Sequence, residues 1–261
     1  MSPAKSPSLL ILDLGTSTIK AILTDLTFTD MSVFFHPMPD SHSTDTFTLT
    51  SNFDPADLWQ ITSNLIAQCV KRAELGNLPI AALGITSQRQ GVVFLDKAGS
   101  ELYMAPNLDL RAFFEGAAID ENHAEDIYAT TGHLPSFLFT PAKLQFFKRQ
   151  HPKLYQQIST VMTLGDWVAY KLTGELACCD QLANEAGLTD LFTQQWAFNL
   201  LDMLGLGCDF LPRLTRPGEL TGCVTEMAGQ LTGLPQGTPV TVAGADSQCA
   251  LIGMNVINPG E

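Results

Sequence analysis

The sequence lacks the features of several broad classes of protein. Its 14 Lys and Arg residues stand against 27 Asp and Glu, for a net charge of -13. Nucleic acid and anionic membranes are bound through clustered basic residues, so neither is expected as a partner. No apolar run reaches the roughly 18 residues that span a bilayer. The first eight residues are too short and polar for a signal peptide, and a cytoplasmic location is expected.

Disulfide and metal-binding patterns are also missing. The six cysteines include no C-x-x-C spacing, and the five histidines are scattered without the spacing of metal ligands. Several cysteines lie in apolar or helical-looking stretches. We therefore expect reduced cysteines in the core, and neither disulfides nor a zinc site.

The chain does contain enough apolar sequence for a sizeable core. It has 261 residues, of which 45% are hydrophobic and 16% are charged. That length fits one large domain or two small ones, and the composition excludes a disordered chain. The composition does not fix the oligomeric state, and a homodimer stays open.

The first third of the chain predicts a β-β-β-α-β order, which resembles the start of a ribonuclease-H-like domain. A helix should begin after Asp54, because Asp is a good N-cap and Pro55 suits the first helical position. Apolar patterning predicts the strands. They cover residues 9–13, 19–24, 31–36, 80–87 and 91–96.

The remainder of the chain is predicted to be mostly helical. A buried strand in "PVTVAGAD" then leads into a last helix after a turn of small residues. Helical spacing, proline at helix starts and glycine at helix ends indicate the helices. They cover residues 111–126, 141–151, 164–173, 198–204 and 226–231.

The stretch "LLILDLGTSTIK" ends a strand in a carboxylate and a turn lined with hydroxyl groups. Gly15 permits backbone angles that other residues resist, so successive N–H groups can point into one concavity. Thr16, Ser17 and Thr18 add hydroxyl donors, and Asp13 beside them suits Mg²⁺, bound directly or through water. A P-loop is excluded, because G-x-x-x-x-G-K-[ST] is missing. Alone, the stretch fits both a phosphate site and a plain β-turn.

Three further stretches carry polar residues at strand or helix ends. Asp246 ends a buried strand, where ligands approach α/β sheets, although an Asp there also caps a helix. Arg89 and Gln90 lie in the turn between two predicted strands. Asp109 and Arg111 precede a predicted helix. A surface salt bridge or a helix cap is the simpler alternative for these last two stretches.

Taken together, the four stretches occur in the order and rough spacing of one family. The sequence resembles the FGGY carbohydrate kinases, the sugar and polyol kinases of the actin–hexokinase–chaperone superfamily. The resemblance covers nearly the whole chain and implies an α/β fold, with a ribonuclease-H-like (actin-like ATPase) mixed sheet flanked by helices and a largely helical insertion. Supporting matches are "TTG" at 130–132, "AKL" at 142–144, "GDWVAYKLTGE" at 165–175, "ANEAGLTDL" at 183–191 and "LTGLPQGTPVTVAGAD" at 231–246.

The resemblance implies ATP-dependent phosphorylation of a sugar or polyol hydroxyl, with ATP and Mg²⁺ as cofactors. Asp246 matches the catalytic base, which takes the proton of the attacking hydroxyl. Asp13 matches the Mg²⁺-associated aspartate. Lys20 stands where relatives often carry a basic residue near the phosphates. The residues that match the phosphate loop are Gly15, Thr16, Ser17 and Thr18.

The acceptor is left open by the resemblance. The positions implied to bind it are Arg89, Gln90, Asp109, Asp246 and Ser247. Glycerol kinases carry Arg-Glu where this chain has Arg89-Gln90, and a tryptophan where Asn107 stands, so glycerol itself is not expected. The stretches around "PNLDLRA" and "GDW" look more like the autoinducer-2 kinase branch. Pentuloses, hexuloses, polyols and autoinducer-2-like acceptors all fit.

Residues 1–261 correspond to the N-terminal, sugar-binding lobe of such a kinase. Family members carry a second, C-terminal lobe that supplies the adenosine pocket, so we expect this chain to need that lobe as a partner and to be inactive alone. A non-catalytic lobe that binds a sugar or a partner is the main alternative. An actin- or chaperone-type ATPase shares the first turn but has no use for the acceptor residues.

Overall fold

The computed structural model describes residues 7–40 and 49–256, together with residues 258 and 260. Most of the N-terminal segment judged above against a signal peptide lies outside the described residues. No helix within the described ranges is long and apolar enough to cross a membrane.

Eleven strands and nine α-helices make up the described part of the fold. The strands are β1 (Ser8–Leu14), β2 (Thr18–Asp25), β3 (Met31–Pro37), β4 (Ile80–Ser87), β5 (Val92–Leu95), β6 (Glu101–Ala105), β7 (Thr160–Thr163), β8 (Ala177–Cys179), β9 (Arg213–Thr215), β10 (Leu220–Cys223) and β11 (Pro239–Ala245). The helices are α1 (Pro55–Gly76), α2 (Phe113–Thr131), α3 (Thr140–Gln150), α4 (Pro152–Tyr155), α5 (Leu164–Thr173), α6 (Asp180–Glu185), α7 (Phe198–Met203), α8 (Glu226–Thr232) and α9 (Asp246–Gly253).

A six-stranded mixed sheet in the order β10-β11-β4-β1-β2-β3 forms the centre of the molecule. The first three strands are antiparallel neighbours, whereas β4 runs parallel to β1 and β11 runs parallel to β4. Side chains alternate along β1, where Leu10, Leu12 and Leu14 are fully buried. The predicted β-β-β-α-β order and the mixed sheet flanked by helices are confirmed.

Helix α1 begins and ends with ordinary capping chemistry. The side chain of Asp54 accepts hydrogen bonds from the N–H groups of Ala56 and Asp57 at 2.8 and 3.2 Å, with Pro55 in the first turn. Asn77 closes the helix in the left-handed conformation, at φ 57°. The buried face of the helix, which includes Leu58, packs against the central sheet.

The region between β4 and β11 is the predicted insertion, and it holds strands as well as helices. Two small sheets, in the orders β6-β5-β7 and β8-β9, lie within it, and β10 joins the central sheet. Of these strands only β5 was predicted. Helix α2, predicted over residues 111–126, bends at His123, where φ is -141°. The short strands depend on partners distant in sequence, so local patterning could not reveal them.

All six cysteines are free thiols, but only half of them belong to the core. Cys69, Cys178 and Cys179 are buried. Cys208 and Cys249 are partly exposed, and Cys223 is exposed. The prediction that the cysteines lie in the core is therefore wrong for Cys223, because it ends the edge strand β10.

Candidate functional site

The carboxyl ends of three parallel strands meet at one edge of the central sheet. Asp13 in β1 is paired with Thr86 in β4, and Thr86 is paired in turn with Gly244 in β11. The Thr86 hydroxyl also donates to the Gly244 carbonyl at 2.8 Å. Neighbouring strands lie about 4.8 Å apart, so the ends of β1 and β11 are separated by roughly 10 Å. Asp246 is the first residue of α9, directly after β11.

The turn between β1 and β2 is tight and leaves donors free. The N–H of Gly15 donates to the Thr18 carbonyl at 3.1 Å. Thr16 and Ser17 are exposed, and within the described residues neither of their N–H groups has a protein acceptor. Gly15 does not adopt a positive φ, so the predicted reason for a glycine is wrong. A Cβ there would lie 3.2 Å from the Thr18 carbonyl oxygen, and close approach is the reason instead.

Asp13 has one carboxylate oxygen paired and the other without a partner in the described part of the chain. Its Oδ2 lies 2.8 Å from Nζ of Lys20. Its Oδ1 is buried, and no hydrogen-bond partner for it occurs among the described residues. Mg²⁺ is a hard cation that takes oxygen ligands and keeps several waters. An acidic oxygen that is free and adjacent to unpaired N–H groups fits Mg²⁺ together with phosphate.

Two residues that sequence reasoning did not assign to the site tie this turn to the loop after β6. Gln88 is 1% exposed, and its Oε1 accepts from the Asn107 N–H at 3.0 Å while its Nε2 donates to the Gly15 carbonyl at 3.4 Å. The side-chain amide of Asn107 donates to the Thr16 hydroxyl at 3.0 Å. The only available signal was the position of Gln88 between a strand end and Arg89.

Arg89 and α9 approach one another through a residue that was also missed. Arg89 has a half-exposed side chain, and its terminal NH1 nitrogen lies 3.8 Å from Oε2 of Glu185, at the end of α6. The other carboxylate oxygen of Glu185 accepts a short hydrogen bond from Nε2 of Gln248 in α9. The structure thus brings Arg89 close to the helix turn that carries Asp246.

Gln90, Asp246 and Ser247 are the remaining residues predicted to bind the acceptor. Gln90 follows Arg89 in the left-handed conformation, at φ 63°. Ser247 is exposed, and its backbone N–H donates to Oδ1 of Asp246 at 2.7 Å. Asp246 is partly buried and is not the N-cap of α9, since that position belongs to Ala245. Its other oxygen has no hydrogen-bond partner among the described residues.

Asp109 is buried among hydrogen-bond donors and does not lie on the surface. Its side chain is fully buried, and it accepts hydrogen bonds from the Tyr103 hydroxyl, from Nε of Arg111 at 2.7 Å and from the Ser51 N–H at 2.8 Å. Arg111 also stacks on the Tyr103 ring, with 4.5 Å between its guanidinium carbon and the ring centroid. The prediction that Asp109 contacts the acceptor has no support in this geometry.

Lys143 completes the buried network. It is fully buried, and its Nζ donates to the Leu138 carbonyl at 2.9 Å. Burial, partly offset by the charge of Asp109, lowers the pKa of Lys143 to about 8. Burial and the charge of Asp109 raise the pKa of Tyr103 well above its usual value. We call these four groups, Tyr103, Asp109, Arg111 and Lys143, the buried network.

Comparison with known proteins identifies the family to which the chain belongs. The N-terminal domain of the FGGY family of carbohydrate kinases matches residues 8–253. The chain therefore belongs to this family, and the resemblance noted in the sequence is confirmed.

Three individual proteins are similar to this chain over nearly its whole length. An autoinducer-2 kinase from Klebsiella pneumoniae is 34% identical over 257 residues, which cover 97% of this chain and 48% of the relative. A xylulose kinase from Rhodospirillum rubrum superposes with a TM-score of 0.88 at 27% identity, over 97% of this chain and 52% of that one. A Plasmodium falciparum glycerol kinase with ADP, at 21% identity and a TM-score of 0.83 over 98% of this chain and 52% of that one, shows the fold alone. The chain spans about half the length of the curated relatives that it matches.

Proposed function

We propose that this chain is the N-terminal lobe of an ATP-dependent sugar or polyol kinase. The observation that carries the proposal is that Asp13, near the end of β1, and Asp246, directly after β11, lie at the same edge of the sheet, with only β4 between the two strands. A strand separation of roughly 10 Å leaves room for a γ-phosphate and its acceptor between the two carboxylates. Phosphoryl transfer needs this kind of positioning and charge neutralisation more than covalent help.

The turn after β1 would hold the phosphates. The N–H groups of Thr16 and Ser17, which have no acceptor among the described residues, would donate to phosphate oxygens, and the hydroxyls of Thr16 to Thr18 would add further donors. Gly15 permits the tight turn, because its backbone lies close to the Thr18 carbonyl. The unpaired Oδ1 of Asp13 would hold Mg²⁺, which when bound neutralises charge on the phosphates. Lys20 keeps the other oxygen of Asp13 in place and adds positive charge beside the phosphates.

The first turn of α9 and the turn after β4 would hold the acceptor. Asp246 would act as general base, accepting the proton of the attacking hydroxyl through its free oxygen. Arg89, Gln90 and Ser247 offer polar groups for neighbouring hydroxyls. We assign Asp109 to positioning: through the loop that carries Asn107, its buried network supports the phosphate turn.

The acceptor is proposed to be a small polyhydroxylated molecule. Relatives of this chain are named autoinducer-2 kinase and xylulose kinase, which supports a pentulose or an autoinducer-2-like acceptor ahead of glycerol. Catalysis would also need a C-terminal lobe to hold adenosine and to close over the phosphates, since closure excludes water from the reacting groups. We place this reaction in the cytoplasm, where ATP is available.

An ADP-release assay tests the proposal. The full-length protein, with both lobes, is screened against D-xylulose, other pentuloses and hexuloses, polyols, D-gluconate and autoinducer-2, and we expect turnover with at least one of them. Purified residues 1–261 should fold and show no appreciable turnover with that acceptor. Turnover by residues 1–261 within about tenfold of the full-length rate would contradict the two-lobe proposal. Absence of turnover by the full-length protein with every acceptor would contradict the kinase assignment.

A further inference from the structure

Glu185 is a buried carboxylate, and one of its oxygens has no hydrogen-bond partner among the described residues. Its side chain is 8% exposed, at the last residue of α6. One oxygen, Oε1, accepts from Gln248, whereas the buried Oε2 has no hydrogen-bond partner among the described residues. A buried charged oxygen without a partner carries a large desolvation cost. This cost would be removed if a ligand group donated a hydrogen bond to Oε2 in the active protein.

Arg89 faces that oxygen without bonding to it. Its terminal nitrogen lies 3.8 Å from Oε2, beyond hydrogen-bond reach, and its side chain is half exposed. A hydroxyl oxygen placed about 2.8 Å from each atom accepts from Arg89 and donates to Glu185 at once. A neutral hydroxyl group, which is both donor and acceptor, would therefore satisfy both atoms.

The same carboxylate is joined to the helix turn that carries the proposed base. Gln248, which fixes Oε1 of Glu185, stands two residues after Asp246 on α9. A ligand hydroxyl that bonds to both Glu185 and Arg89 would therefore lie near Asp246. The next hydroxyl of the same molecule could then contact Asp246.

We propose that Glu185 is a substrate-contacting residue that determines acceptor specificity. Its Oε2 accepts a hydrogen bond from one hydroxyl of a vicinal diol, Arg89 donates to the same hydroxyl, and the adjacent hydroxyl faces Asp246. The inference rests on the proposed kinase function. It assigns to α6 a part of the acceptor site, in addition to the turn after β4 and the start of α9.

Glu185→Gln is the sharpest variant, because it keeps the shape and the Oε1 acceptor for Gln248 while removing the charge. Glu115→Gln is its matched control: Glu115 is 6% exposed, lies 4.0 Å from Arg149 and belongs to α2, which packs against α3 and α7. The full-length protein is titrated calorimetrically with the tightest acceptor from the ADP-release screen. We expect Glu185→Gln to weaken its binding by about 10- to 100-fold and Glu115→Gln to change it by less than about threefold.

Deoxy analogues of that acceptor separate direct contact from a structural effect. In the wild type, the analogue that lacks the bridged hydroxyl should bind about 10- to 100-fold more weakly than the parent acceptor. In Glu185→Gln that penalty should be clearly smaller, with only the contact to Arg89 remaining, since the cycle isolates the contribution of Glu185. Should Glu185→Gln fail to fold, Glu185→Asp, which keeps the charge on a shorter side chain, should give an intermediate loss.

The outcomes distinguish the two proposals. Unchanged binding of the acceptor by Glu185→Gln, or a deoxy penalty as large as in the wild type, overturns the role of Glu185 and leaves the kinase proposal standing. A wild type that neither binds nor phosphorylates any acceptor overturns both.

Discussion

The buried network and the sheet edge both contain buried charge, but they satisfy it differently. In the network, Asp109 receives three donors, and Arg111 is further bound to Asn52 and stacked on Tyr103. At the edge, Oδ1 of Asp13 and Oε2 of Glu185 are buried without a hydrogen-bond partner in the described part of the chain. Closed charge of the first kind holds a framework together. Unsatisfied charge of the second kind lies where we propose that ligands bind.

The largest stability effect should come from opening the closed network. Asp109→Ala leaves Arg111 buried without its counter-ion, and removing one partner of a buried pair costs about 3–5 kcal/mol in the free energy of unfolding. Urea denaturation of the variant and the wild type measures this loss of stability. Asp246→Asn, at the open edge, should change the same free energy by less than about 1 kcal/mol.

A reversal of this order would break the comparison. If Asp109→Ala unfolds the protein outright, Asp109→Asn keeps the shape and should still cost more stability than Asp246→Asn. Equal losses for the two positions would mean that the network does not hold the framework.

A smaller effect should appear in alkaline solution. The pKa of Lys143 is about 8 in the folded protein, against an ordinary 10.5. Between these values the unfolded chain binds the extra proton, so Lys143 should add up to about 3 kcal/mol to the free energy of unfolding as the pH rises from about 8 to 10. Burial raises the pKa values of the thiols of Cys69, Cys178 and Cys179, which acts in the opposite direction, so the quantity to measure is the difference in this free energy between the wild type and Lys143→Met. That difference should shift in favour of the wild type as the pH rises, whereas the difference between the wild type and Lys148→Met, at an exposed position of the same helix, should stay constant. A constant difference for Lys143→Met would contradict the burial of this lysine.

The first half of the fold followed from local sequence patterns. Strands β1 to β4 alternate or are continuously apolar, and α1 carries its own capping residue and proline, so each element is specified by its own residues. Strands β6 to β10 have three to five residues each. Segments this short acquire their structure from strands distant in sequence, and no local pattern reports such pairing.

The candidate site divides in the same way. The turn at Gly15 and the strand end before Asp246 were identified because their residue types suit phosphate and acceptor chemistry. The burial of Asp109 depends on Tyr103 and on Ser51, which is 58 residues away. The closeness of Glu185 to Arg89 depends on contacts between α6, α9 and the turn after β4. Neither could be predicted without the fold.

The central claim is that Asp246 serves as the base at an active site shared with Asp13. Its most direct test is kcat of the full-length Asp246→Asn variant with an accepted acceptor, measured beside Glu226→Gln, whose carboxylate also begins a helix but is exposed. We predict that Asp246→Asn lowers kcat by about 10²–10⁴ and leaves ATP binding nearly intact, while Glu226→Gln behaves as the wild type. A wild-type kcat for Asp246→Asn would mean that Asp246 only stabilises the start of α9, and would contradict the account.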